Sequence, residues 1–593
     1  VNWPSSIKST TLESSYREPS YLSISKRTTT LPKAGQNLHW AQQMALDVKA
    51  RIEKDERLAK IVAEHGLLVY DEKTPSGTIH IGSGRGWVIH DVVAKCLRDL
   101  GINAQFILSS DDYDPYDKPN KELDPEVYNQ HLGKPFCDIP SPQENYSSFG
   151  DYYFNQATQH FAEMGIECGF ESTGENYKNG LFNPQIKTIL DNTERVQQVY
   201  RDLYGDGSPA ASKIPFNVKC TECGRIATTV ASEWDEEKEE LYFECRNDVV
   251  EWADGCGHKG WASPYNGGGK FPWKVEWAAK WPTRGVIVEF GGKDHFSKGG
   301  SRTCANKIAV DILDFPPPYP SYGYKTGPGY EFFQIGGAKM STSKGKGMSF
   351  ADGVKFFPGE MLRFLLLKSR PNSVVDFDPE KNDILLLCDQ FDRMERIHFG
   401  IDPAKDENDK AVQSSLYRLV SVGEPRDFFV PQIPLNLAST LLQITLSKEA
   451  AFYKLVEMGK LPADLGEKEK AVIFSRFDLA QRWVDNFASE QFIFKLVSEE
   501  NGAENISDDD AQILEAFCKH LNSVEHISES KELHNSFYGL AKEHDWDPKT
   551  VFCAVYRGLI QKDRGPQLAN FILTIGIAKT CTLLKAGLNR RQN

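Results

Sequence analysis

The strongest constraint on the fold is a change of hydrophobic pattern around residue 74. Leu67-Leu-Val-Tyr70 is a short continuous apolar run, the pattern of a buried strand. Trp87, Val88, Asp91, Val92, Cys96 and Leu100 then recur at helical spacing, and the pattern stops at Gly101. Between them lies Thr74-Pro-Ser-Gly-Thr-Ile-His-Ile-Gly-Ser83. This order predicts that His80, Gly82 and Ser83 occupy the first turn of a helix leaving the end of a parallel strand. Such a turn favours an anion, because its backbone N–H groups and the positive end of the helix dipole point outward. His80 and Ser83 are three apart and share a helix face. Gly82 between them costs about 1 kcal/mol relative to Ala inside a helix, a cost that a flat ligand lying on bare backbone would explain. The competing reading is a plain strand–turn–helix unit whose Gly and Ser only cap the helix.

A second stretch bears on that choice. Gly336-Gly-Ala-Lys-Met-Ser-Thr-Ser-Lys-Gly-Lys-Gly347 is a small-residue loop carrying Lys339, Lys344 and Lys346. It reads either as a solvated linker or as a loop whose lysines move onto a polyphosphate as charge develops there. Ala104-Gln-Phe-Ile-Leu108 predicts a second parallel strand, and so the start of a doubly wound sheet, in which ligands bind beyond the carboxyl ends of the strands. Ser110-Asp-Asp-Tyr-Asp-Pro115 emerges at that edge. Its three carboxylates suit a cationic substrate or a metal, or else form an Asp-rich turn. Gly285-Val-Ile-Val-Glu-Phe290 is another buried strand, which brings Asp294 and His295 to the same edge.

Cys220-Thr-Glu-Cys223, Cys245 and Gly255-Cys-Gly-His258 have the spacing of a closed, tetrahedral zinc site. The expected ligands are Cys220, Cys223, Cys245 and Cys256, with His258 the alternative to Cys245. A structural zinc there would hold together a loop-rich module with little core of its own. Trp273, Trp277 and Trp281 follow at spacings of four, on one helical face. Trp277 and Trp281 read as core. Trp273, directly after Pro272, could clasp an alkyl-ammonium chain by apolar contact and cation–π attraction.

The chain of 593 residues has room for two to four domains. A net charge of −14 argues against a protein that coats nucleic acid nonspecifically, though not against a local basic groove. Its 12 cysteines lack the dense spacing of a secreted scaffold, and a reducing, cytoplasmic setting is expected. There is no run of about 18 apolar residues, so no membrane span is expected. Residues 1–38 are rich in Ser and Thr and read as a disordered extension. The expected organisation is an α/β catalytic domain over 39–380, with an insertion at 116–265 that holds the zinc module around 220–258. An all-helical domain is expected over 390–593.

Taken in order, the two signature stretches resemble the paired nucleotide-binding motifs of class I aminoacyl-tRNA synthetases. His80-Ile-Gly-Ser83 stands where the family has His-Ile-Gly-His, and Lys339-Met-Ser-Thr-Ser343 where it has Lys-Met-Ser-Lys-Ser. The resemblance is closest to class I lysyl-tRNA synthetases, from about His39 to about Ala578. Further matches are Ser110-Asp-Asp-Tyr-Asp-Pro115, the Cys220-to-His258 module, Phe271-Pro-Trp273, Gly292-Lys-Asp-His295 and Tyr556-Arg-Gly-Leu…Arg564-Gly-Pro566. The resemblance implies a Rossmann-type catalytic sheet and a two-step reaction that joins lysine to tRNA(Lys) through lysyl-adenylate. It gives ATP binding to His80, Gly82, Ser83, Lys339, Met340 and Thr342, with Lys344 supplying the charge that Thr342 lacks. It gives lysine contact to Thr74, Trp273 and His295, Mg²⁺ to the phosphates and anticodon reading to the helical domain. DNA is not among the implied partners. Glu72 stands near the substrate where a small residue is expected, and it could face a lysine ammonium. Two alternatives are a class I synthetase for another amino acid and a noncatalytic tRNA-binding relative.

Overall fold

The computed structural model describes residues 38–339, 348–379, 381–524, 527 and 529–592. The expectations placed on residues 1–37 and on Met340, Thr342 and Lys344 fall outside these. The chain enters through α1 (Trp40–Lys54) and α2 (Glu56–His65). The pattern predicts a helix from Leu38 to Lys60 and a second helical run to Glu64. The break between the two falls earlier, at Asp55, whose carboxylate accepts the N–H groups of Arg57 and Leu58 and caps the second helix.

The central sheet has four parallel strands: β1 (Leu67–Lys73), β2 (Ala104–Ser110), β3 (Gly169–Ser172) and β4 (Val286–Val288). Their order is β3-β2-β1-β4. The chain steps outward from β1 to β3 and then returns to the other side of β1. The point where strand order reverses therefore lies between β1 and β4, where a crevice opens beyond the carboxyl ends. The side-chain period of two covers both faces of this sheet. Leu67, Val69, Phe106 and Leu108 enter one core with α1, with α3 (Ser83–Asp99) and with the helix Gly359–Leu367. Tyr70 and Val286 enter a second core with α4 (Trp273–Arg284) and the helix Ser301–Asp311. This is the expected α/β arrangement, a parallel sheet buried on both faces.

One expectation needs adjusting. β3 falls within the stretch 116–265, so that stretch is not wholly outside the sheet: it contributes the edge strand. The helical run from Asn183 to Tyr204 divides at Asn192. The run from Ser349 to Lys368 divides into Phe350–Phe356 and Gly359–Leu367, because Pro358 cannot continue a helix but suits the start of one.

From Asp383 onward, every regular element among the described residues is a helix. They do not share one core. Helices up to Asn486 pack into the same core as the first face of the sheet, whereas Phe494 to Leu588 form a separate one. A buried ion group fastens this half to the sheet. Arg363 Nη1 lies 2.9 Å from Asp91 Oδ2 on α3, and Lys95 Nζ lies 3.1 Å from the same oxygen. Arg363 also donates to the carbonyl of Leu419 at 2.7 Å. Burial works against the Asp91 carboxylate, but Lys95 and Arg363 hold it below the usual carboxylate range. No single helix among the described residues is long and apolar enough to cross a membrane.

Candidate active site

The first signature is wound more tightly than its spacing suggests. Ser83 N–H donates to the His80 carbonyl (3.1 Å), Gly84 N–H to Ile81 (3.0 Å) and Arg85 N–H to Gly82 (3.3 Å). These N–H groups are therefore engaged in a turn and do not form an open array. His80 lies before the helix, in an antiparallel bridge with Ser349. Ile81 N–H donates to the Met348 carbonyl at 3.0 Å and Phe350 N–H to the Ile79 carbonyl at 2.9 Å. The chain leaving the lysine-bearing loop is thus bonded directly to the segment that carries His80. Gly82 has φ −60° and ψ −26°, values open to any residue. Gly84 is the glycine that packing demands, since a Cβ there would lie 2.6 Å from the Phe350 ring.

The other end of the loop is also tied to this segment. Phe333–Ile335 and Ala338–Lys339 form a hairpin in which Gln334 pairs with Lys339. Gly336 and Gly337 turn it with φ of 58° and 79°, where a side chain would be strained. Arg85, two residues after Ser83, is buried and holds the strand leading into this hairpin. Its guanidinium donates to the carbonyls of Glu331 (2.8 Å), Phe332 (3.2 Å), Arg370 (3.2 Å), Pro371 (3.2 Å) and Ser373 (2.6 Å). Burial lowers its pKa to about 10, so it stays charged. One end of the stretch between Lys339 and Met348 is therefore bonded to the His80 segment, and the strand leading into its other end is held by Arg85 on the helix that follows. The sequence reading missed Arg85, whose only signal is a cation set between Gly84 and Gly86 in the first turn of α3.

Beyond the end of β1, Thr74 Oγ1 donates to Asp114 Oδ2 at 3.0 Å. Asp114 in turn meets the buried Lys270, whose ammonium lies 3.0 Å from Glu276 Oε2 on α4. One turn along α4, the fully buried Lys280 meets Asp111, Glu72 Oε1 at 3.1 Å and Glu276 Oε1 at 3.4 Å. Glu72 therefore does face a lysine ammonium, but it is the chain's own. Four carboxylates, Glu72, Asp111, Asp114 and Glu276, share two ammoniums. Burial works against Lys280, yet Asp111, Glu72 and Glu276 hold it above the ordinary lysine range. Burial and the neighbouring Asp111 push the Glu72 carboxyl well up, so Glu72 is the member that takes up a proton. Lys270, Glu276 and Lys280 were not read from the sequence. The signal was there: Glu276 and Lys280 are four apart, each directly before a tryptophan of the apolar stripe, Trp277 and Trp281, where unpaired charge is costly.

The structure brings Trp273 and His295 together, with ring centroids 5.3 Å apart at 74°. Trp273 also stacks on Trp277 at 5.5 Å and 27°. Trp277 and Trp281 are buried as expected, while Trp273 is 44% exposed. Asp112 does not join the ionic cluster. Its carboxylate accepts from Ser172 Oγ (2.6 Å) and Gly174 N–H (2.8 Å), and burial raises its pKa to about 6. The Asp-rich edge is thus partly a structural turn and partly a charged wall.

The four cysteines gather as expected. The thiols of Cys220, Cys223, Cys245 and Cys256 all lie within 4.8 Å of one another. Cys220 and Cys256 are 3.6 Å apart, and Cys223 and Cys245 are 3.7 Å apart. The Cys245 sulfur also accepts Cys256 N–H at 3.3 Å, an outer contact that orients a ligand. His258 is not in the group; its Nε2 pairs with Thr221 Oγ1 at 3.1 Å. This donor set and spacing fit a tetrahedral zinc ion.

Residues 38–423 match the family model described as tRNA synthetases class I (K). A lysine–tRNA ligase of Methanococcus maripaludis is 30% identical over 553 residues, covering 91% of this chain and 98% of that one. One from Methanosphaera stadtmanae is 28% identical over 547 residues, covering 91% and 97%. A solved glutamate tRNA ligase from Elizabethkingia meningosepticum aligns at 12% identity and a TM-score of 0.38, covering 88% of this chain and 99% of that one. The extent of the family match, together with the full-length coverage of the relatives, gives the conclusion: this chain belongs to the class I tRNA synthetases of the K group.

Proposed function

We propose that this protein is a lysine–tRNA ligase. A lysine carboxylate oxygen attacks the α-phosphorus of ATP, the bond from that phosphorus to the α,β-bridging oxygen breaks, and lysyl-adenylate and pyrophosphate form. The 2′-hydroxyl of the terminal adenosine of tRNA(Lys) then attacks the lysyl carbonyl carbon, and AMP leaves. No covalent bond to the protein is required. The rate comes from holding the reactants in line and balancing the growing charge.

In this reading His80, Gly82 and Ser83 hold the nucleotide, with Met340 and Thr342 completing its site. Lys339 and Lys344 stabilise the departing pyrophosphate, and ATP enters as its Mg²⁺ complex. The observation that carries the adenylation step is the bonding of Met348–Phe350 to Ile79–Ile81, with Arg85 fastening the loop's other end. This supports a shared cleft for His80 and the loop lysines. Thr74, Trp273 and His295 contact the amino acid. Lysine carries two ammoniums and one carboxylate. A net-negative wall of Glu72, Asp111, Asp114 and Glu276 against Lys270 and Lys280 suits that charge and would repel glutamate.

Cys220, Cys223, Cys245 and Cys256 would hold a zinc ion that stabilises the local fold and takes no part in the reaction. The helices beyond Asp383 would read the anticodon, whose unstacked bases need aromatic and hydrogen-bonding partners. The test is exchange of pyrophosphate into ATP, with tRNA present, across the amino acids. Lysine alone should support it. Support by glutamate or another amino acid instead would replace this reading with the same chemistry on a different substrate.

A further inference from the structure

Behind the aromatic pair Trp273 and His295 lies a buried cation. Arg302, on the helix Ser301–Asp311, is fully buried. Its guanidinium carbon sits over three rings, 5.0 Å from the centre of Trp277, 4.5 Å from Trp281 and 5.2 Å from Phe296. Its N–H groups have fixed acceptors. Nη1 donates to Glu289 Oε2 at 2.8 Å, Nη2 to the Pro318 carbonyl at 2.9 Å and Nε to Ser321 Oγ at 3.3 Å. The same Glu289 oxygen accepts Trp281 Nε1–H at 2.7 Å. Burial lowers the Arg302 pKa only to about 10, with Glu289 acting the other way, so the guanidinium stays charged.

This one side chain touches the support of both walls of the proposed lysine contact. Trp277 lies one turn along α4 from Trp273 and stacks on it. Phe296 directly follows His295. His295 also meets Trp277, with ring centroids 5.8 Å apart at 77°. The separation of the Trp273 and His295 rings therefore depends on where Trp277 and Phe296 stand on Arg302.

A buried ion pair adds little net stability over apolar side chains of the same volume. What a guanidinium supplies that an apolar group does not is direction: its fork locks onto its acceptors, and its plane takes aromatic rings. An alkyl chain held between two rings is sensitive to their spacing, because a gap of about 0.5–1 Å forfeits a quarter to a half of the contact attraction.

Resting on the reading of Trp273 and His295 as lysine contacts, we infer that Arg302, held by Glu289, is a positioning residue that sets the separation of these two rings and with it the affinity for the amino acid. Being fully buried, it touches neither lysine nor ATP and takes no part in a chemical step.

The test is pyrophosphate exchange by the full-length protein with tRNA present, titrating lysine and ATP separately. Arg302→Lys keeps the charge but loses the plane and the fork. It should raise the KM for lysine about tenfold, with the KM for ATP and the kcat at saturating lysine within about twofold of the wild type. Arg302→Met, which also leaves Glu289 unpaired, should raise the lysine KM further, so the ammonium gives partial rescue. Phe296→Leu removes the ring next to His295 and should raise the lysine KM about threefold or more; combined with Arg302→Lys, the effects should be less than multiplicative, because both act through one link. Thermal midpoints identify any variant that has not folded, and Phe296→Leu carries the test where the Arg302 variants do not fold. A wild-type KM for lysine in folded Arg302→Lys or Phe296→Leu, KM values for lysine and ATP that rise together, or failure of all three single variants to fold makes Arg302 a structural residue. Each of these overturns the assignment and leaves the lysine reaction standing. A wild type in which lysine supports no exchange overturns the parent reading and this one with it.

Discussion

His80 and Ser349, 269 positions apart in the chain, form an antiparallel bridge. That bridge joins the segment bearing the first signature to the end of the loop bearing the second, and it depends on close packing behind it. Gly84 sits where a Cβ would come within 2.6 Å of the Phe350 ring. Gly84→Val should force Phe350 and the loop exit away from His80. The expected result is a fall in lysine-dependent pyrophosphate exchange of at least about tenfold, since small misplacements of reacting groups are costly. Gly82→Ala should be milder, because its backbone angles are ordinary.

Arg85 clamps the other end. Arg85→Met takes the shared charged donor from the part-buried carbonyls of Glu331 and Ser373, while the Phe332 carbonyl keeps Val375 N–H. Water can reach part of what is lost, so a net loss of about 1–3 kcal/mol is expected in denaturant unfolding. Where the variant is folded, the KM for ATP should rise.

Glu72 carries the pH signature of substrate binding. Burial and Asp111 raise its pKa, so the group ionises at higher pH than an ordinary carboxyl, and while it is protonated the wall holds one negative charge fewer. As pH rises and Glu72 ionises, attraction for the substrate's ammoniums grows. The KM for lysine should therefore fall with rising pH in the wild type, and Glu72→Gln should flatten that dependence. An unchanged profile in the variant would remove Glu72 from the account of charge selection.

Asp71, next to it on β1, carries a stability signature. Its carboxyl is raised by burial to about 7 from an ordinary value of 3.8. Between about pH 4 and 7 the folded state holds a proton that the unfolded state has lost, so this group's contribution to stability falls as pH rises through that window. His90 supplies no positive charge to Asp71, and its own depressed pKa adds a dependence of opposite sign that the wild type and an Asp71 variant share. Its Nε2 accepts Phe290 N–H at 2.9 Å, its Nδ1–H donates to the Gly86 carbonyl at 2.8 Å, and burial lowers its pKa to about 4, so it is neutral. Asp71→Asn should gain in thermal midpoint relative to the wild type at pH 8 compared with pH 5.

The cysteine cluster predicts metal content. Purified protein should carry about one zinc per chain, and Cys223→Ser should lose it with a drop in thermal midpoint. A wild type that binds no zinc under reducing conditions would leave the four thiols as a packed core feature.

The parts of this molecule legible in the sequence were those with a local pattern. The apolar run Leu67–Tyr70 and the 3.6-residue period after it gave β1 and α3, and the C-x₂-C pair led to the four thiols now found together. Trp273 and His295 were named separately and meet in space. What was not legible depends on long-range partners. Nothing near Arg85 reveals that its donors reach Ser373, and Lys270 and Lys280 are buried only because Asp114, Asp111 and Glu72 arrive from two other strand ends. The place of Gly82 was misread because the tight turn from His80 to Arg85 is fixed by bonds to Met348 and Ile79, far along the chain.

The central claim is that His80 and Lys339 act on one triphosphate. Lysine-dependent pyrophosphate exchange, run with tRNA present on the wild type, His80→Ala and Lys339→Ala, tests it most directly. Each substitution should lower kcat by about 10²-fold or more while leaving the thermal midpoint near that of the wild type. A folded variant of either kind that exchanges at the wild-type rate would contradict the shared site.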